Sequence, residues 1–471
     1  MSRVGVDSGG TFTDAVGADG RVVKVLSTRH DPSRAVAAAA ALVSDGEPPE
    51  TLAHGTTVAT NAVLEGTTAT VALMATAGFG DVIEIGRQTR PKLFDHFADR
   101  PTALVPRQLR LEVHERVAAD GSVLTPLDDA TVPAVPSDAA AVAICLLHAD
   151  LNPEHERLIA ERLRADGHDV SASYEVAPEI REFERMTTTV LNAALRPICR
   201  PYLAGLDGIA DEVLVMTSAG GLTPSARAAD LPAALLLSGP AAGVAAAAHV
   251  AEANGFPDAV SFDMGGTSTD VCLITNGRPE PAGQRDVAGH PVRLPSLDIH
   301  TIGAGGGSVA WLDAGGALHV GPASAGADPG PACYGRGGTE PTVTDADLVA
   351  GRIPTNAAFG ELGALDVDGA TAALATLGVG AEDVLAVVDE EMAQALRAVT
   401  VERGVDPRRL ALVAFGGAGP VHACRLAEVL GMTTVIVPAA AGVLSAVGLV
   451  GAPVVRDVVR SWPGGIDHTG L

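Results

Sequence analysis

The chain has 471 residues, of which 47% are apolar and only 3% aromatic, so alanine, valine and leucine must form most of its core. This length predicts two or three domains. With 57 acidic and 32 basic residues, the formal net charge is −25, which argues against nucleic acid or an anionic membrane as a partner.

The five cysteines are widely spaced and include no C-x-x-C pair, which argues against zinc-finger and iron–sulfur frameworks. The pattern favours reduced thiols in a cytoplasmic protein. The chain begins directly in a predicted strand without a signal peptide, and its alanine-rich stretches are too short for membrane spans. We therefore expect a cytoplasmic location and no membrane partner.

The most informative feature is an octapeptide that occurs twice. Residues 7–14 read D-S-G-G-T-F-T-D, and residues 263–270 read D-M-G-G-T-S-T-D. Each copy follows a short apolar strand and precedes a second β-like run that ends in a turn signal, Asp19-Gly20 or Asn276-Gly277. The sequence thus predicts one unit twice: strand, Gly-Gly loop, strand, tight turn and strand.

The chemistry of each octapeptide suits a phosphate-binding loop. Paired glycines let backbone N–H groups approach an anion, and the threonine hydroxyls add donors. The leading acids, Asp7 and Asp263, would repel phosphate directly but would hold Mg²⁺ through water. One copy alone fits an ordinary turn equally well, whereas two copies with matching flanks predict two related domains that share a cleft. The candidate phosphate ligands are Gly9, Gly10, Thr11, Thr13, Gly265, Gly266, Thr267 and Thr269.

Between the two copies, several polar residues allow both a functional and a structural interpretation. After a helix predicted over 32–43, the stretch 53–62 is rich in small and hydroxyl residues, which suits a ligand-facing backbone or a capped helix start. Within it, His54 is a base or ligand, or else a hydrogen-bonded structural histidine. Arg87 or Arg90 would bind a substrate carboxylate through two parallel hydrogen bonds. The alternative is that they are solvated arginines on the surface.

Two predicted helices lead toward the second copy. Residues 182–193 predict a helix that brings charged and hydroxyl side chains toward the cleft. Gly239, a further candidate for nucleotide contact, opens an alanine-rich helix that continues to Ala253. Small side chains suit a helix that crosses close to another element between two domains, although alanine also simply favours helix.

The segment after the second copy contains a candidate second metal site. Asp298 and His300 are two residues apart and would share one face of a strand. Two ligands do not specify a metal, so a hydrogen-bonded pair is the alternative. The glycines that follow, including Gly305 and Gly306, predict another close approach of backbone to ligand, and residues 321–345 predict a long irregular loop.

The last part of the chain contains a third glycine-rich loop. A helix is predicted over 384–403 and a strand over 410–414. The loop that follows the strand opens a helix, so it is a candidate contact for the base and ribose of a nucleotide. Residues 441–449 are again small and predict a second crossing helix. The candidate residues of the loop are Gly416, Gly417 and Gly419.

This order of loops and crossing helices resembles the superfamily of acetate and sugar kinases, Hsp70 and actin, in which two ribonuclease-H-like domains close on ATP. In detail the chain is similar to the hydantoinase A / 5-oxoprolinase family, which also includes subunits of acetone and acetophenone carboxylases. The segments that carry the resemblance are D-S-G-G-T-F-T-D, H-G-T-T-V-A-T-N-A, G-F-G-D-V-I-E-I-G-R-Q, S-G-P-A-A-G, F-D-M-G-G-T-S-T-D-V, D-I-H-T-I-G-A-G-G-G-S, S-A-G-A-D-P-G-P-A-C-Y-G-R-G-G, P-T-V-T-D-A and F-G-G-A-G-P-V-H-A.

The resemblance implies an α/β fold with two ribonuclease-H-like domains around a nucleotide cleft and an inserted α/β region in the N-terminal half. The implied boundaries are 1–240 for the first domain, about 80–180 for its insertion, 241–440 for the second domain and 441–471 for the connecting helix that returns to the first.

The resemblance also implies an activity. Family members use ATP and Mg²⁺ to phosphorylate the carbonyl oxygen of a lactam or cyclic imide, such as 5-oxoproline or a hydantoin, and water then opens the ring. A B-type hydantoinase subunit is the expected partner, and a homodimer is a further expectation. Carried over, Asp7 and Asp263 become the catalytic Mg²⁺ positions. The expected phosphate contacts are Gly9, Gly10, Thr11, Gly265, Gly266 and Thr267, and the adenosine contacts are Gly416, Gly417 and Gly419.

Two other functions remain open. The ATP-using subunit of an acetone/acetophenone-type carboxylase would phosphorylate an enolate or carbonyl oxygen with the same loops. A non-catalytic, nucleotide-gated interaction protein would keep the loops and lose the chemistry. Because family members usually continue well beyond the second crossing helix and this sequence stops at Leu471, we expect some contacts to substrate or partner to be missing.

Overall fold

The computed structural model describes residues 3–9, 12–28, 31–89, 93–95, 97–98, 102–356 and 363–461. Two large mixed sheets each contain one copy of the repeated hairpin, and a smaller parallel sheet is inserted in the first half of the chain. Three residues that the sequence analysis singled out, Gly10, Thr11 and Arg90, lie outside the described residues.

The first sheet is built on the strand Arg3–Ser8, whose valines are buried in the core. This strand pairs antiparallel with Phe12–Val16, the second strand of the hairpin, and parallel with Thr51–Thr56. The complete strand order is Leu222–Pro224, Glu212–Met216, Thr51–Thr56, Arg3–Ser8, Phe12–Val16 and Val22–Leu26.

The second sheet repeats this arrangement. Ala259–Met264 pairs antiparallel with Thr269–Thr275 and parallel with Ala411–Phe415. The predicted duplication of the strand–loop–strand unit is therefore confirmed. The strand order is Arg278–Pro279, Thr269–Thr275, Ala259–Met264, Ala411–Phe415 and Thr434–Ile436, and His300–Ile302 also pairs with the second of these strands.

A four-stranded parallel sheet is inserted between two strands of the first sheet. The helices Glu154–Ala165 and Glu182–Ala204 pack on it, because their apolar side chains complete its two cores. The predicted insertion is present, and the first strand of its sheet begins at Val71. Its strand order is Val170–Ala172, Ala141–Cys145, Val71–Thr76 and Arg110–Val113.

Helices cover the faces of these sheets, and short strand pairs connect them. None of the described helices combines the length and apolar character needed to cross a bilayer. The other α-helices are Pro32–Val43, Val58–Leu64, Val82–Ile85, Ser173–Val176, Ser225–Asp230, Gly239–Ala253, Val343–Val349, Val367–Ala375, Ala381–Val399, Gly419–Leu430 and Leu444–Gly451. The short strand pairs are Arg116–Val117 with Val123–Thr125, Pro281–Ala282 with Ser296–Leu297, Arg285–Val287 with His290–Val292, and Ser308–Leu312 with Leu318–Ser324.

The helices Gly239–Ala253 and Leu444–Gly451 cross at close range between the two large sheets. A Cβ added at Gly448 would lie 2.8 Å from the carbonyl carbon of Ala242 on the other helix. Since real Cβ atoms do not approach backbone this closely, the crossing requires glycine there. The prediction of two small-residue crossing helices is confirmed.

Replacing Gly448 by alanine is expected to lower the free energy of unfolding by about 3 kcal/mol, because the added methyl group forces the crossing helices apart. Urea unfolding followed by circular dichroism measures the change. Gly451→Ala in the same helix is the matched control, since its Cβ would meet no atom within 4 Å. The control should stay within about 0.5 kcal/mol of the wild type. Equal stabilities for the two variants would contradict the close crossing.

A hairpin from the second half of the chain packs into the core of the first half. The strands Arg285–Val287 and His290–Val292 pair antiparallel. The side chains of Val287, Val292 and Leu294 are buried in the same core as the first strand of the chain. Packing in the described residues therefore does not divide cleanly at residue 240, and the predicted domain boundaries stay a prediction.

The irregular segment predicted over 321–345 is shorter than expected. Leu318–Ser324 forms a strand with Ser308–Leu312, so the segment begins only after residue 324. It ends at Thr342, which caps the helix Val343–Val349 through a reciprocal pair of hydrogen bonds with Asp345.

Candidate functional site

The two leading aspartates hold equivalent positions in their hairpins. Asp7 lies directly opposite Asp14, and Asp263 lies directly opposite Asp270. A Cβ at Gly55, the other neighbour of Asp7, would lie 2.6 Å from its Oδ1, so glycine there leaves room for the carboxylate. The closing acids of the octapeptide were not predicted as site residues from the sequence, although their fixed spacing across a hairpin was the signal that could have found them.

The carboxyl groups of the two hairpins interact electrostatically. Burial raises the pKa of Asp7 to about 7; the charge of Asp14 adds to the rise and that of Lys24 opposes it. Burial raises the pKa of Asp263 to about 8, and the charges of Asp270 and Asp7 add to this rise. The second crossing helix lies against the strand of Asp7, since a Cβ at Gly5 would collide with the carbonyl oxygen of Ala446, and the charge of Asp7 reaches Asp263. The two hairpins therefore bring their leading acids to one region of the molecule.

Both leading acids suit a hard cation such as Mg²⁺. Neither carboxyl accepts a hydrogen bond from another described residue that would favour its charged form, and burial and the neighbouring carboxylates both disfavour its ionisation. Magnesium prefers oxygen ligands and keeps several of its waters, and a bound cation lowers the pKa of nearby carboxyl groups. Asp7 and Asp263 are therefore the residues that would hold Mg²⁺, where the ion would neutralise charge on a phosphate.

The two hairpins differ in what stands beside their closing acids. In the first, Lys24 Nζ lies 2.5 Å from Asp14 Oδ1. In the second, the hydroxyl of Thr301 donates a hydrogen bond to Asp270 Oδ1 at 2.5 Å, and burial raises the pKa of Asp270 to about 6. A lysine thus forms an ion pair with the closing acid of the first hairpin, whereas the closing acid of the second has a hydroxyl as its hydrogen-bond donor and, besides that bond, only the charge of Arg285 to lower its pKa.

The turns of the two hairpins close in the same way. The N–H of Gly9 donates to the carbonyl of Phe12 at 3.0 Å, and the N–H of Gly265 donates to the carbonyl of Ser268 at 3.0 Å. A Cβ at Gly266 would meet no atom within 4 Å, so the outer face of the second loop is open to an approaching ligand. Gly266 and Thr267 are exposed on this face.

The threonines at the ends of the loops are buried and bonded within the protein. The hydroxyl of Thr13 lies 3.0 Å from that of Ser27, and the hydroxyl of Thr269 donates to the carbonyl of Ala304 at 2.6 Å. Both threonine side chains are fully buried. We therefore assign Thr13 and Thr269 to the support of the hairpins, and a direct phosphate contact from them stays a prediction.

The glycine run after the second hairpin lies against its backbone. The N–H of Gly306 donates to the carbonyl of Gly265 at 3.0 Å. A Cβ at Gly305 would lie 2.7 Å from the N–H nitrogen of Thr267 and the carbonyl carbon of Gly266. Gly305 and Gly306 thus allow their segment to pack against the loop of the second hairpin. Their predicted contact with the nucleotide stays a prediction.

The third glycine-rich loop lies beside the second hairpin. Gly416 has a φ of 82°, and its added Cβ would collide with the carboxylate of Asp263. The N–H of Ala418 donates to the carbonyl of Met264 at 3.0 Å. Gly417 is open, since its Cβ would meet no atom within 4 Å, and Gly419 begins the helix that follows. The structure therefore brings this loop to the leading acid of the second hairpin.

Gly239 begins the first crossing helix and faces the hydroxyl-rich stretch 53–62. A Cβ at Gly239 would lie 3.6 Å from the methyl group of Thr57. In the same region, the N–H of Leu237 donates to the hydroxyl of Thr60 at 2.8 Å. The stretch thus joins the first sheet to the start of the crossing helix.

Two other candidates are engaged by protein partners. His54 is fully buried between the carbonyl of Val6, 2.9 Å from Nδ1, and the hydroxyl of Tyr202, 2.6 Å from Nε2. Burial lowers the pKa of His54 to about 4, so it is a neutral structural histidine. Arg87 forms a two-pronged ion pair with Glu184 and is therefore not free to hold a substrate carboxylate.

The predicted second metal pair does not form one unit. Asp298 lies just before the strand His300–Ile302 and is ion-paired with Arg403, whereas His300 is exposed. In the described part of the chain, no group of three or more His, Cys, Asp or Glu residues is arranged to hold a metal ion. A second metal at Asp298 and His300 stays a prediction.

A buried charged cluster was missed by the sequence analysis. Nδ1 of His422 lies 2.7 Å from Asp389 Oδ1, and its Nε2 lies 3.2 Å from Asp347 Oδ2. Arg352 lies 3.2 Å from the other oxygen of Asp389. Arg352 Nη1 also lies 3.4 Å from Nδ1 of His422 and opposes its charge, but with a carboxylate close to each ring nitrogen His422 is held as an imidazolium. Only the histidine in F-G-G-A-G-P-V-H gave any sequence signal.

His422 is expected to make the protein less stable at alkaline pH. Burial opposes its charged form, but the hydrogen bond with Asp389 and the charges of Asp347 and Asp389 outweigh burial and raise its pKa to about 9. A raised pKa stabilises the fold fully below the unfolded value of about 6.5, and this contribution is lost as the pH rises through about 9. The stability difference between wild type and His422→Gln, measured by urea unfolding, should shrink from pH 6 to pH 10.

The exposed His249 provides the control, since His249→Gln should follow the wild-type pH profile. A difference for His422→Gln that does not vary with pH would contradict an imidazolium in this cluster.

Known proteins match the chain along nearly its whole length. Residues 185–458 match the family described as Hydantoinase/oxoprolinase, and residues 3–167 match the Hydantoinase/oxoprolinase N-terminal region. The caprolactamase subunit alpha of Pseudomonas jessenii is 37% identical over 99% of this chain and 72% of its own. The 5-oxoprolinase 1 of Arabidopsis thaliana is 33% identical over 98% of this chain but only 42% of its own.

Solved structures share the fold. The ATP-dependent caprolactamase from Pseudomonas jessenii has a TM-score of 0.83 at 36% identity, covering 95% of this chain and 70% of that one. A nucleotide-free acetone carboxylase has a TM-score of 0.79 at 29% identity, covering 96% and 70%. The predicted α/β fold, with two ribonuclease-H-like domains of the actin type and an inserted α/β region, is confirmed. By sequence and by fold, the chain belongs to the hydantoinase/oxoprolinase family.

Proposed function

We propose that the protein is an ATP-dependent hydrolase that phosphorylates and opens a lactam or cyclic imide. The observation that carries the proposal is the meeting of two equivalent hairpins, in which the charge of one leading acid, Asp7, raises the pKa of the other, Asp263. Two similar loops that approach one region from two sheets suit a triphosphate held from both sides. The assignment is supported by the similarity of this chain to an ATP-dependent caprolactamase and a 5-oxoprolinase.

The chemistry explains why such a reaction needs ATP. An amide carbonyl is a poor electrophile, and its nitrogen is a poor leaving group. Transfer of the γ-phosphoryl group to the lactam oxygen breaks the bond between that group and ADP and places a good leaving group on the ring carbon. Water then adds to this carbon, and collapse of the adduct breaks the C–N bond, so that the ring nitrogen leaves as an amine with the proton that the water gives up. A second water hydrolyses the resulting acyl phosphate, and overall one lactam, one ATP and two waters give the amino acid, ADP and phosphate.

The residues of this chain contribute mainly position and charge. Phosphoryl transfer requires in-line alignment and neutralisation of the oxygens more than covalent help from the protein. In this proposal the open backbone at Gly265 and Gly266 holds phosphate oxygens, and the loop from Gly416 to Gly419 holds the adenosine. Mg²⁺ held by Asp7 and Asp263 supplies positive charge at the phosphates.

The ATP-using subunit of a ketone carboxylase is the second candidate. The fold match to acetone carboxylase favours it specifically, because this match covers 96% of the chain. The same loops would then phosphorylate an enolate or carbonyl oxygen of a ketone, so the nucleotide site would be shared and only the acceptor would differ.

A partner subunit is part of the proposal. The relative from Pseudomonas jessenii is named as subunit alpha of its enzyme, which indicates at least one other kind of subunit in that protein. A B-type hydantoinase subunit is the corresponding partner here.

The test is the release of ADP from Mg·ATP in the presence of candidate acceptors, with and without a B-type subunit. Caprolactam, 5-oxoproline and hydantoin form one set, and acetone or acetophenone with bicarbonate forms the other. We expect stimulation by one or more lactams or imides. Stimulation by ketones alone would favour the carboxylase, and ATP-dependent partner binding without any stimulation would favour a nucleotide-gated interaction protein.

A further inference from the structure

The helix that carries His422 begins at the third glycine-rich loop. Its first turn runs from Gly419 to His422, two residues after the open Gly417. Ahead of this turn, the N–H of Ala418 donates to the carbonyl of Met264, the residue that follows Asp263 in the second hairpin. A shift of the helix start would therefore move the loop that we assign to adenosine.

The helix Val343–Val349, which carries Asp347, is linked to the second hairpin through hydrogen bonds to Gly306. Thr344, one helical turn before Asp347, donates to the carbonyl of Gly306 from its N–H at 2.8 Å and from its hydroxyl at 2.7 Å. Gly306 in turn donates to the carbonyl of Gly265 at 3.0 Å. The start of this helix thus supports the phosphate loop from behind.

The ion pairs of His422 join these two helices to a third. His422 and Asp347 are at most 1% exposed, and Asp389, on the helix Ala381–Val399, is 4% exposed. Without the imidazolium, Arg352 would still lie near Asp389, but Asp347 would keep only a distant contact of 3.9 Å with Arg352. A buried carboxylate without a close counter-charge is costly, so the helices would shift or Asp347 would bind a proton.

We propose that His422 is a positioning residue for the nucleotide: held between Asp347 and Asp389, it fixes the distance between the loop at Gly416–Gly419 and the phosphate loop at Gly265–Gly266. The inference rests on the proposed function, because it assigns both loops to one ATP molecule. His422 is fully buried and acts through the backbone of the two loops, not by touching the ligand. Nucleotide affinity should therefore depend on it more strongly than the chemical step does.

The test compares the wild type with His422→Gln and Asp347→Asn in binding of Mg·ATP and in steady-state turnover at pH 7. Both variants are expected to raise the Kd and the KM for ATP by about tenfold, a typical size for coupling between sites. The kcat at saturating ATP should change by less than about threefold, because the reacting groups are untouched. If His422 had only a structural role, the variants would yield less folded enzyme, and the KM for ATP of the folded fraction would not rise.

His249→Gln, on the exposed side of the first crossing helix, is the matched control and should keep wild-type values. If His422→Gln does not fold, Asp347→Asn alone decides the outcome. Wild-type ATP affinity in the variants, or a loss confined to kcat, would overturn the positioning role while leaving the proposed function in place. Failure of the wild type to bind ATP would instead overturn the proposed function itself.

Discussion

Replacing Asp263 by asparagine is expected to lower ATP turnover by about a thousandfold, the size of loss seen when a group that stabilises transition-state charge is removed. Asparagine keeps the shape of the side chain but cannot carry the negative charge that would hold Mg²⁺. The fold should tolerate the change. Burial already raises the pKa of Asp263 to about 8, so the neutral form is close to what the metal-free protein prefers.

The measurement is ADP release under saturating Mg·ATP, with unfolding followed in parallel. An acid whose folded pKa is raised destabilises the fold as pH rises above its unfolded pKa, so the metal-free variant should be at least as stable as the wild type at pH 9. Asp368→Asn, at an exposed aspartate in the same half, is the matched control. Full turnover by the Asp263 variant would remove the role assigned to this carboxylate.

Replacing Gly416 by alanine is expected to abolish measurable binding of Mg·ATP, a loss of about a hundredfold or more. Two effects act together. The φ of 82° disfavours any residue with a Cβ, and the added methyl group would collide with Asp263 Oδ1 and lie 2.8 Å from the carbonyl carbon of Met264. The loop or the acid must move, and either movement disturbs the site. Equilibrium binding of a fluorescent ATP analogue measures the loss.

Gly451→Ala provides the control for this experiment. A Cβ at Gly451, at the end of the second crossing helix, would meet no atom within 4 Å, so this variant should fold normally and retain most of the affinity of the wild type. Equal affinities for Gly416→Ala and Gly451→Ala would show that the loop is not held against the second hairpin as described.

The features that could be predicted from the sequence are those that depend on local spacing. A Gly-Gly loop between two strands and a turn signal after the second strand predicted the hairpins. The turns do adopt the positive φ that the signals require: 82° at Gly20, 52° at Asn276 and 73° at Gly277. The small residues of the crossing helices were informative for a similar reason, since their packing depends on side-chain size alone.

The partners of charged side chains could not be predicted, because they are brought together only by the fold. Arg87 and Glu184 are far apart in sequence, as are His422 and Asp389, and no periodicity relates them. The hydroxyls of the helix Glu182–Ala204 gave a misleading signal, since their polarity suggested the cleft. Thr187, Thr188 and Thr189 instead donate to backbone carbonyls four residues earlier in the same helix.

The most direct test is a crystal structure of the protein with Mg²⁺ and a non-hydrolysable ATP analogue. We predict one nucleotide, with its phosphates between the loops at Gly9 and Gly265–Gly266 and the metal ion near Asp7 and Asp263. A nucleotide bound to one hairpin alone, or at a place remote from both, would contradict the proposal that the two halves of the chain hold a single triphosphate between them.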